Sequence, residues 1–218
     1  MAYISLTDRA QQILADVLQE GDIAIDATVG NGYDTVFLAK AVGSTGHVFG
    51  FDVQPEAIAN TRKQLQQQNL QQRVTLFQQD HADLAARIPD PLKQGIKAVM
   101  FNLGYLPGGD KSLVTRDHST LQALNTVLPH LLPGGVITIV AYRGHSGGQG
   151  ETRAVRDWCT QLDKLSYSVE VINSPTESES APLLITILTN NKNRWWLLPR
   201  FTTNAAKKIG TGCRALPL

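Results

Sequence analysis

Asp26, Asp52 and Asp80 follow three successive short apolar runs, Ile23–Ile25, His47–Phe51 and Val74–Gln78. Acids at the carboxyl ends of strands stand where an open α/β sheet binds ligands. Asp52 is placed to accept from two ribose hydroxyls, and Asp80 from the exocyclic amino group of an adenine. Asp26 suits either a cationic ligand or the backbone amides of its own loop. That loop, Asp26-Ala27-Thr28-Val29-Gly30-Asn31-Gly32-Tyr33-Asp34, has two glycines that let the backbone turn tightly and approach a ligand. A dinucleotide fingerprint wants a third glycine at 35, where Thr35 stands. Any one acid fits a cap or a turn; three in register fit a ligand.

A second constellation is Phe101-Asn102-Leu103-Gly104-Tyr105-Leu106-Pro107-Gly108-Gly109-Asp110-Lys111. A polar residue closes the fourth apolar run, with an aromatic three positions on. This is similar to the Asn/Asp-Pro-Pro-Tyr motif of amino-group methyltransferases. The Asn102 oxygen and a backbone carbonyl can accept from an NH₂ group and aim its lone pair, while Tyr105 can stack on a base. Leu103-Gly104 replaces the two prolines, so adenine is not carried over as substrate. Asn102 also fits a strand-end turn, and Tyr105 also fits core packing.

After the fifth apolar run comes Tyr142-Arg143-Gly144-His145-Ser146-Gly147-Gly148. His145 reads as a base, an RNA contact or a satisfied loop histidine. Arg143 reads as a phosphate contact or a surface charge, and Lys111 as a phosphate ligand or a solvated loop lysine. His81, next to Asp80, packs near the ligand. Cys159, in a helical segment, reads as buried structure. Cys159 and Cys213 form neither a disulfide framework nor a CxxC metal site, so no metal is expected.

The elements that hold these residues alternate. Helical periods run over Leu6–Glu20, Tyr33–Ala41, Pro55–Gln68, Ser119–Leu132 and Glu151–Leu165. Strands are read at 23–27, 47–52, 74–78, 98–103, 136–142, 168–172 and 183–188. Pro55 fits a first helical position, and Pro133-Gly134-Gly135 reads as a helix end. The alternation predicts an α/β fold: a mainly parallel seven-stranded sheet with helices on both faces. Its last two strands, with no helix between them, predict a hairpin and one antiparallel strand near an edge.

The 218 residues are 42% apolar and 18% charged, which excludes collagen-like and wholly disordered classes. No apolar run approaches the ~18 residues of a membrane span, and Met1–Arg9 lacks the pattern of a secretory signal. A cytoplasmic location without membrane partners is expected. The net charge of +1 hides an asymmetry. Six basic residues and no acid follow Thr189, leaving 14 basic against 19 acidic residues, net −5, in the first 189. The expected organisation is a domain over 1–190 and a basic tail over 191–218, weakly ordered or docked, with Trp195 and Trp196 able to pack or stack.

The three acids with GxG resemble the S-adenosylmethionine site of Rossmann-like class I methyltransferases. Residues 26–35, 102–111 and 142–148 together resemble the YtqB/MnmM family over about residues 7 to 189. The 102–111 decapeptide is highly specific. Two features depart from the family: Arg143 at a position where a histidine or similar residue is expected, and the basic tail. The resemblance implies S-adenosylmethionine as cofactor, held by Asp26, Thr28, Gly30, Asn31, Gly32, Asp34, Asp52, Val53, Asp80, His81 and Asn102. It implies Asn102, Tyr105 and His145 as the catalytic group. Leu103, Gly104, Lys111, Tyr142 and Arg143 are implied on the substrate or RNA side. The implied reaction is N-methylation of the aminomethyl group of 5-aminomethyl-2-thiouridine at the tRNA wobble position. The implied partner is the anticodon region of tRNA, with a homodimer as a candidate assembly. Alternatives within this reading are an rRNA or small-molecule methyltransferase, or a non-catalytic cofactor- and RNA-binding module.

Overall fold

The structure, a computed structural model, describes residues 4–109, 112–176 and 178–190. Lys111 and the tail from 191 lie outside the described residues. In chain order the elements are α1 (Leu6–Ala15), β1 (Ile23–Asp26), α2 (Tyr33–Ala41), β2 (His47–Asp52), α3 (Pro55–Gln67), β3 (Val74–Gln78), α4 (Leu84–Arg87), α5 (Pro89–Gln94), β4 (Ile96–Leu103), α6 (Asp117–Val127), β5 (Leu131–Ala141), α7 (Gly148–Thr160), β6 (Tyr167–Asn173) and β7 (Leu183–Thr189). The strands form one sheet in the order β3-β2-β1-β4-β5-β7-β6. β7 runs antiparallel to both β5 and β6, and the other pairings are parallel. The expected mainly parallel sheet and closing hairpin are both present.

Strand periodicity explains the layers. Ile25, Phe51, Val99, Phe101, Ile137 and Ile185 point to one face and pack with α4–α7. Ala24, Val48, Ala98, Met100, Val136 and Leu184 point to the other and pack with α1–α3. A sheet covered on both faces needs such near-continuous apolar strands, because neither side meets water. Ser5 starts α1 by accepting from the Asp8 amide at 3.0 Å, and Pro55 opens α3 as expected.

Several expectations need correction; the first helix, read to Glu20, ends at Ala15. The helix read through Leu132 ends at Val127, followed by a 3₁₀ turn at Leu128–His130, and β5 already begins at Leu131. Pro133, Gly134 and Gly135 lie inside β5: two steps along β4, Ile96 to Ala98, match five along β5, Leu131 to Val136. The extra residues form a bulge. Gly134 has φ +65°, and a Cβ on Gly135 would lie 2.8 Å from the Leu132 carbonyl. Apolar flanks with a Pro-Gly-Gly centre read as a helix stop in sequence, because the pairing that accommodates the bulge is non-local. Helices α4 and α5 are too short to show a period. Helix α7 starts three residues before Glu151 and ends at Thr160.

Candidate active site

The strand order reverses between β1 and β4, and a cleft of about 1280 Å³ opens at their carboxyl ends. That is larger than the roughly 300–1,000 Å³ of a single small-molecule pocket. Thr28, Gly30, Asn31, Gly32, Asp34, Asp52, Val53, Asp80, His81, Asn102, Gly104, Tyr105, Tyr142 and His145 all line it. The fold therefore brings together most of the residues singled out in the sequence.

The loop after β1 forms one wall. Gly30 and Gly32 have φ of +53° and +87°, and a Cβ on Gly32 would fall 2.5 Å from the Thr61 hydroxyl. Asp26 lies wholly buried beneath this loop and does not line the cleft. Its carboxylate accepts from the Thr28 amide at 3.2 Å and the Thr35 hydroxyl at 2.6 Å. Of its two expected uses, the structure displays the loop amides. Burial, with the nearby Asp34 charge, pushes its pKa up to about 7. Asn31 reaches across the cleft, its Nδ2 donating to the Pro107 carbonyl at 3.4 Å.

Asp52 accepts from the Gly30 amide and the Gln54 amide, each at 2.9 Å. One oxygen serves each. Burial raises its pKa. Asp80 accepts from the Ala82 amide at 2.9 Å and caps the turn that follows. His81 is buried and packs edge-on against Phe101, with ring centroids 5.7 Å apart. Its Nδ1 donates to the Ala27 carbonyl at 3.1 Å, and burial lowers its pKa. It supports the first loop from beneath.

The opposite wall begins at Asn102. Its backbone amide donates to the Thr28 hydroxyl at 2.7 Å, and its Nδ2 donates to Asp34 Oδ2 at 2.7 Å. The Asn102 Oδ1 atom is buried without a hydrogen-bond partner. Among the described residues only Thr138 Oγ1 and His145 Nε2 share that condition. A buried acceptor left unmet costs stability and marks a place for a ligand. Asp34 Oδ1 accepts from Gln11 Nε2 at 2.6 Å.

Beyond Asn102 the chain folds back on itself. The Thr115 amide donates to the Gly104 carbonyl at 3.0 Å, and Tyr105 bridges to Val114. Tyr105 meets His145 edge-on with centroids 6.0 Å apart. His145 Nδ1 donates to the Ser146 carbonyl at 3.0 Å, and its Nε2 packs on Gly148, where a Cβ would come within 2.7 Å. The Tyr142 hydroxyl shares a hydrogen bond with that of Thr7 at 3.1 Å.

Two substrate-side expectations are corrected. Leu103 is buried in the core, does not line the cleft, and its carbonyl accepts from the Tyr142 amide at 2.9 Å. Arg143 also lies off the cleft; its guanidinium donates to the Ala181 carbonyl at 2.6 Å and the Ser178 carbonyl at 3.4 Å, clamping the β6–β7 connection. Cys159 is buried, with its thiol pKa pushed up to about 11, so it is structural as expected.

Glu151 was missed. It is buried at the start of α7 and accepts from the Thr115 hydroxyl at 2.8 Å and the Thr120 hydroxyl at 2.7 Å. Its spacing to Val155 and Cys159 puts a carboxylate on the buried stripe of the helix, and that was a legible signal. Gln11 and the exposed, cleft-lining Arg116 were also missed, and nothing local separates them from other surface residues.

Comparisons with known proteins agree with this geometry. The profile of the family described as "Putative rRNA methylase" matches residues 48–188. A tRNA (mnm(5)s(2)U34)-methyltransferase, chloroplastic, from Arabidopsis thaliana is 36% identical, covering 82% of this chain and 67% of the relative. A putative rRNA-methylase from Clostridium thermocellum is 39% identical with a TM-score of 0.81, covering 87% of this chain and 100% of that one. A putative methyltransferase from Streptococcus mutans, solved with SAH (S-adenosylhomocysteine), is 33% identical with a TM-score of 0.77, covering 86% and 99%. A glycine-built first loop, acids at successive strand ends and this set of relatives have one common meaning: the chain is an S-adenosylmethionine-dependent methyltransferase and belongs to the "Putative rRNA methylase" family.

Proposed function

We propose that this enzyme methylates the aminomethyl nitrogen of 5-aminomethyl-2-thiouridine at the wobble position of tRNA. The observation that carries the reading is Asn102 Oδ1, a buried acceptor without a partner in a cleft larger than a single small-molecule pocket. An amine offers the N–H that such an oxygen needs. The Arabidopsis relative, whose name states this class of tRNA site, supports it further.

The residues present fit the cofactor. Asp52 lines the cleft, where it can accept from ribose hydroxyls. Asp80 serves the adenine amino group, with Val53 and His81 as neighbouring walls. Thr28, Gly30, Asn31 and Gly32 offer a loop that no Cβ narrows at its two glycines. Asp26 acts by holding that loop. When bound, S-adenosylmethionine supplies an electrophilic methyl group on a sulfonium.

The chain's own part is placement. An aliphatic ammonium must lose its proton before it attacks, and burial favours the neutral amine. Asn102 Oδ1 accepts an N–H of that amine and turns its lone pair toward the methyl; Tyr105 lies beside the base. With the methyl donor bound, the nitrogen–carbon bond would form at the expense of the donor's carbon–sulfur bond, and the second amine proton would leave to solvent. Proximity and an in-line approach do most of the work. His145, with Nδ1 committed to Ser146, orders Tyr105.

The test is reaction of the purified chain with S-adenosylmethionine and tRNA that carries the unmethylated aminomethyl nucleoside, followed by nucleoside mass spectrometry. Conversion to the methylaminomethyl nucleoside is expected. An unchanged nucleoside, with methyl entering rRNA or a small molecule instead, overturns the reading.

A further inference from the structure

The Asn102 amide has two ends of the same shape and opposite chemistry. With the oxygen facing the cleft it receives an amine; turned end for end it would oppose one with its own N–H groups. The deciding contacts come from elements distant in sequence. Nδ2 donates to Asp34 Oδ2 at 2.7 Å, on the first turn of α2. Asp34 Oδ1 accepts from Gln11 Nε2 at 2.6 Å, on α1. Asp34 is only 8% exposed. An ionised carboxylate can only accept, so the reverse orientation of Asn102 would press oxygen against oxygen in a site with little water.

We propose that Asp34, steadied by Gln11, is a positioning residue that locks the Asn102 amide with its oxygen toward the methyl-accepting nitrogen. The inference rests on the reading of Asn102 given under the proposed function. It takes Asp34 out of the cofactor set and assigns it to the substrate side. It also gives α1, which precedes the whole sheet in sequence, a direct part in the active site. Burial raises the Asp34 pKa, and the hydrogen bonds from Gln11 and Asn102 oppose that rise. Asp8 of α1 adds a like charge, and Asp34 itself acts on Asp26 beneath the first loop.

The test uses the full chain and the variants Asp34→Ala, Asp34→Asn, Asn102→Asp and the exchange Asp34→Asn with Asn102→Asp. Steady-state kinetics on tRNA with the aminomethyl nucleoside are paired with calorimetric SAH binding and with NMR of the Asn102 side-chain amide. Asp34→Ala should lower kcat about a hundredfold, the scale expected for a misplaced positioning group. KM and SAH affinity should stay within about twofold, the pattern of an interaction made only in the transition state. Asp34→Asn, which still offers Asn102 an acceptor, should recover about tenfold of that loss. In Asn102→Asp two carboxylates face each other; the exchange restores a donor–acceptor pair and should turn over about tenfold faster than Asn102→Asp alone.

Wild-type kcat in Asp34→Ala, an equal loss in SAH affinity, or an exchange no better than Asn102→Asp would each overturn the proposal. If the wild-type enzyme leaves the tRNA unmethylated, the functional reading falls instead. The amide signals then decide the lock alone. A shift in Asp34→Ala supports it, and unchanged signals overturn it.

Discussion

Asp52 Oδ2 accepts the Gly30 N–H at 2.9 Å, so the acid that ends β2 is bonded to the glycine that shapes the loop after β1. Removing the carboxylate therefore loosens the loop and deletes the proposed ribose acceptor together. Charge-assisted hydrogen bonds contribute roughly 1.5–3 kcal/mol. Asp52→Ala should weaken S-adenosylmethionine binding about ten- to a hundredfold. Calorimetry that returns wild-type affinity would take Asp52 out of the site.

Asn102 should affect chemistry and leave cofactor affinity alone. Asn102→Ala removes the acceptor and leaves Asp34 short of one donor. Turnover on tRNA should fall at least about tenfold, with SAH affinity near wild type. Full turnover in this variant would sink the role given to Asn102.

Asp26 makes a pH prediction with a definite sign. Its pKa is about 7 in the folded protein, against 3.8 ordinarily. Below the lower value both states are protonated. Between the two, the unfolded chain ionises while the folded chain keeps the proton, so stability falls as pH rises and levels off above about 7. Asp26→Asn should flatten the fall of unfolding free energy between pH 4 and 7. Parallel profiles for the two proteins in urea melts would contradict this.

Glu151 ties the chain after β4 to α6 and α7 through two threonine hydroxyls. Glu151→Ala strands the buried Thr120 hydroxyl, at a cost of about 1–3 kcal/mol, and frees the half-buried Thr115 hydroxyl. A lowered unfolding midpoint is expected. Glu151→Gln, which keeps one carbonyl acceptor, should lose less. Equal midpoints for all three proteins would show the contacts to be energetically idle.

The basic tail sets up a salt-dependent prediction. β7 runs antiparallel to β5, with Leu183 beside Ala141 and Leu188 beside Val136. β7 therefore ends, at Thr189, at the end of the sheet opposite the cleft, about 20 Å away at ~3.3 Å per residue. The 28 residues after Asn190 carry six basic groups and no acid. Truncation after Asn190 should raise KM for tRNA at moderate salt, with less change in kcat, and the penalty should shrink as salt rises. Equal tRNA affinity of both chains across salt would make the tail irrelevant to RNA.

The sheet was legible because its central strands are apolar on both faces and its strand ends are punctuated by acids and glycines. The same local pattern gave away Asp52, Asp80, Asn102 and the glycine loop. The bulge at Pro133–Gly135 was misread, because a bulge exists only relative to the strand beside it.

The sequence by itself determined which residue types stand at the strand ends, since composition and period are local properties. What those side chains face was settled by the tertiary structure. Folding turned Asp26 under its loop, sent Leu103 into the core and spent Arg143 on two carbonyls. It also joined Gln11, Asp34 and Asn102, which are 23 and 68 residues apart along the chain. Hydrogen bonds are short and directional, so sequence spacing carries no record of a contact that α1, α2 and β4 must meet to form.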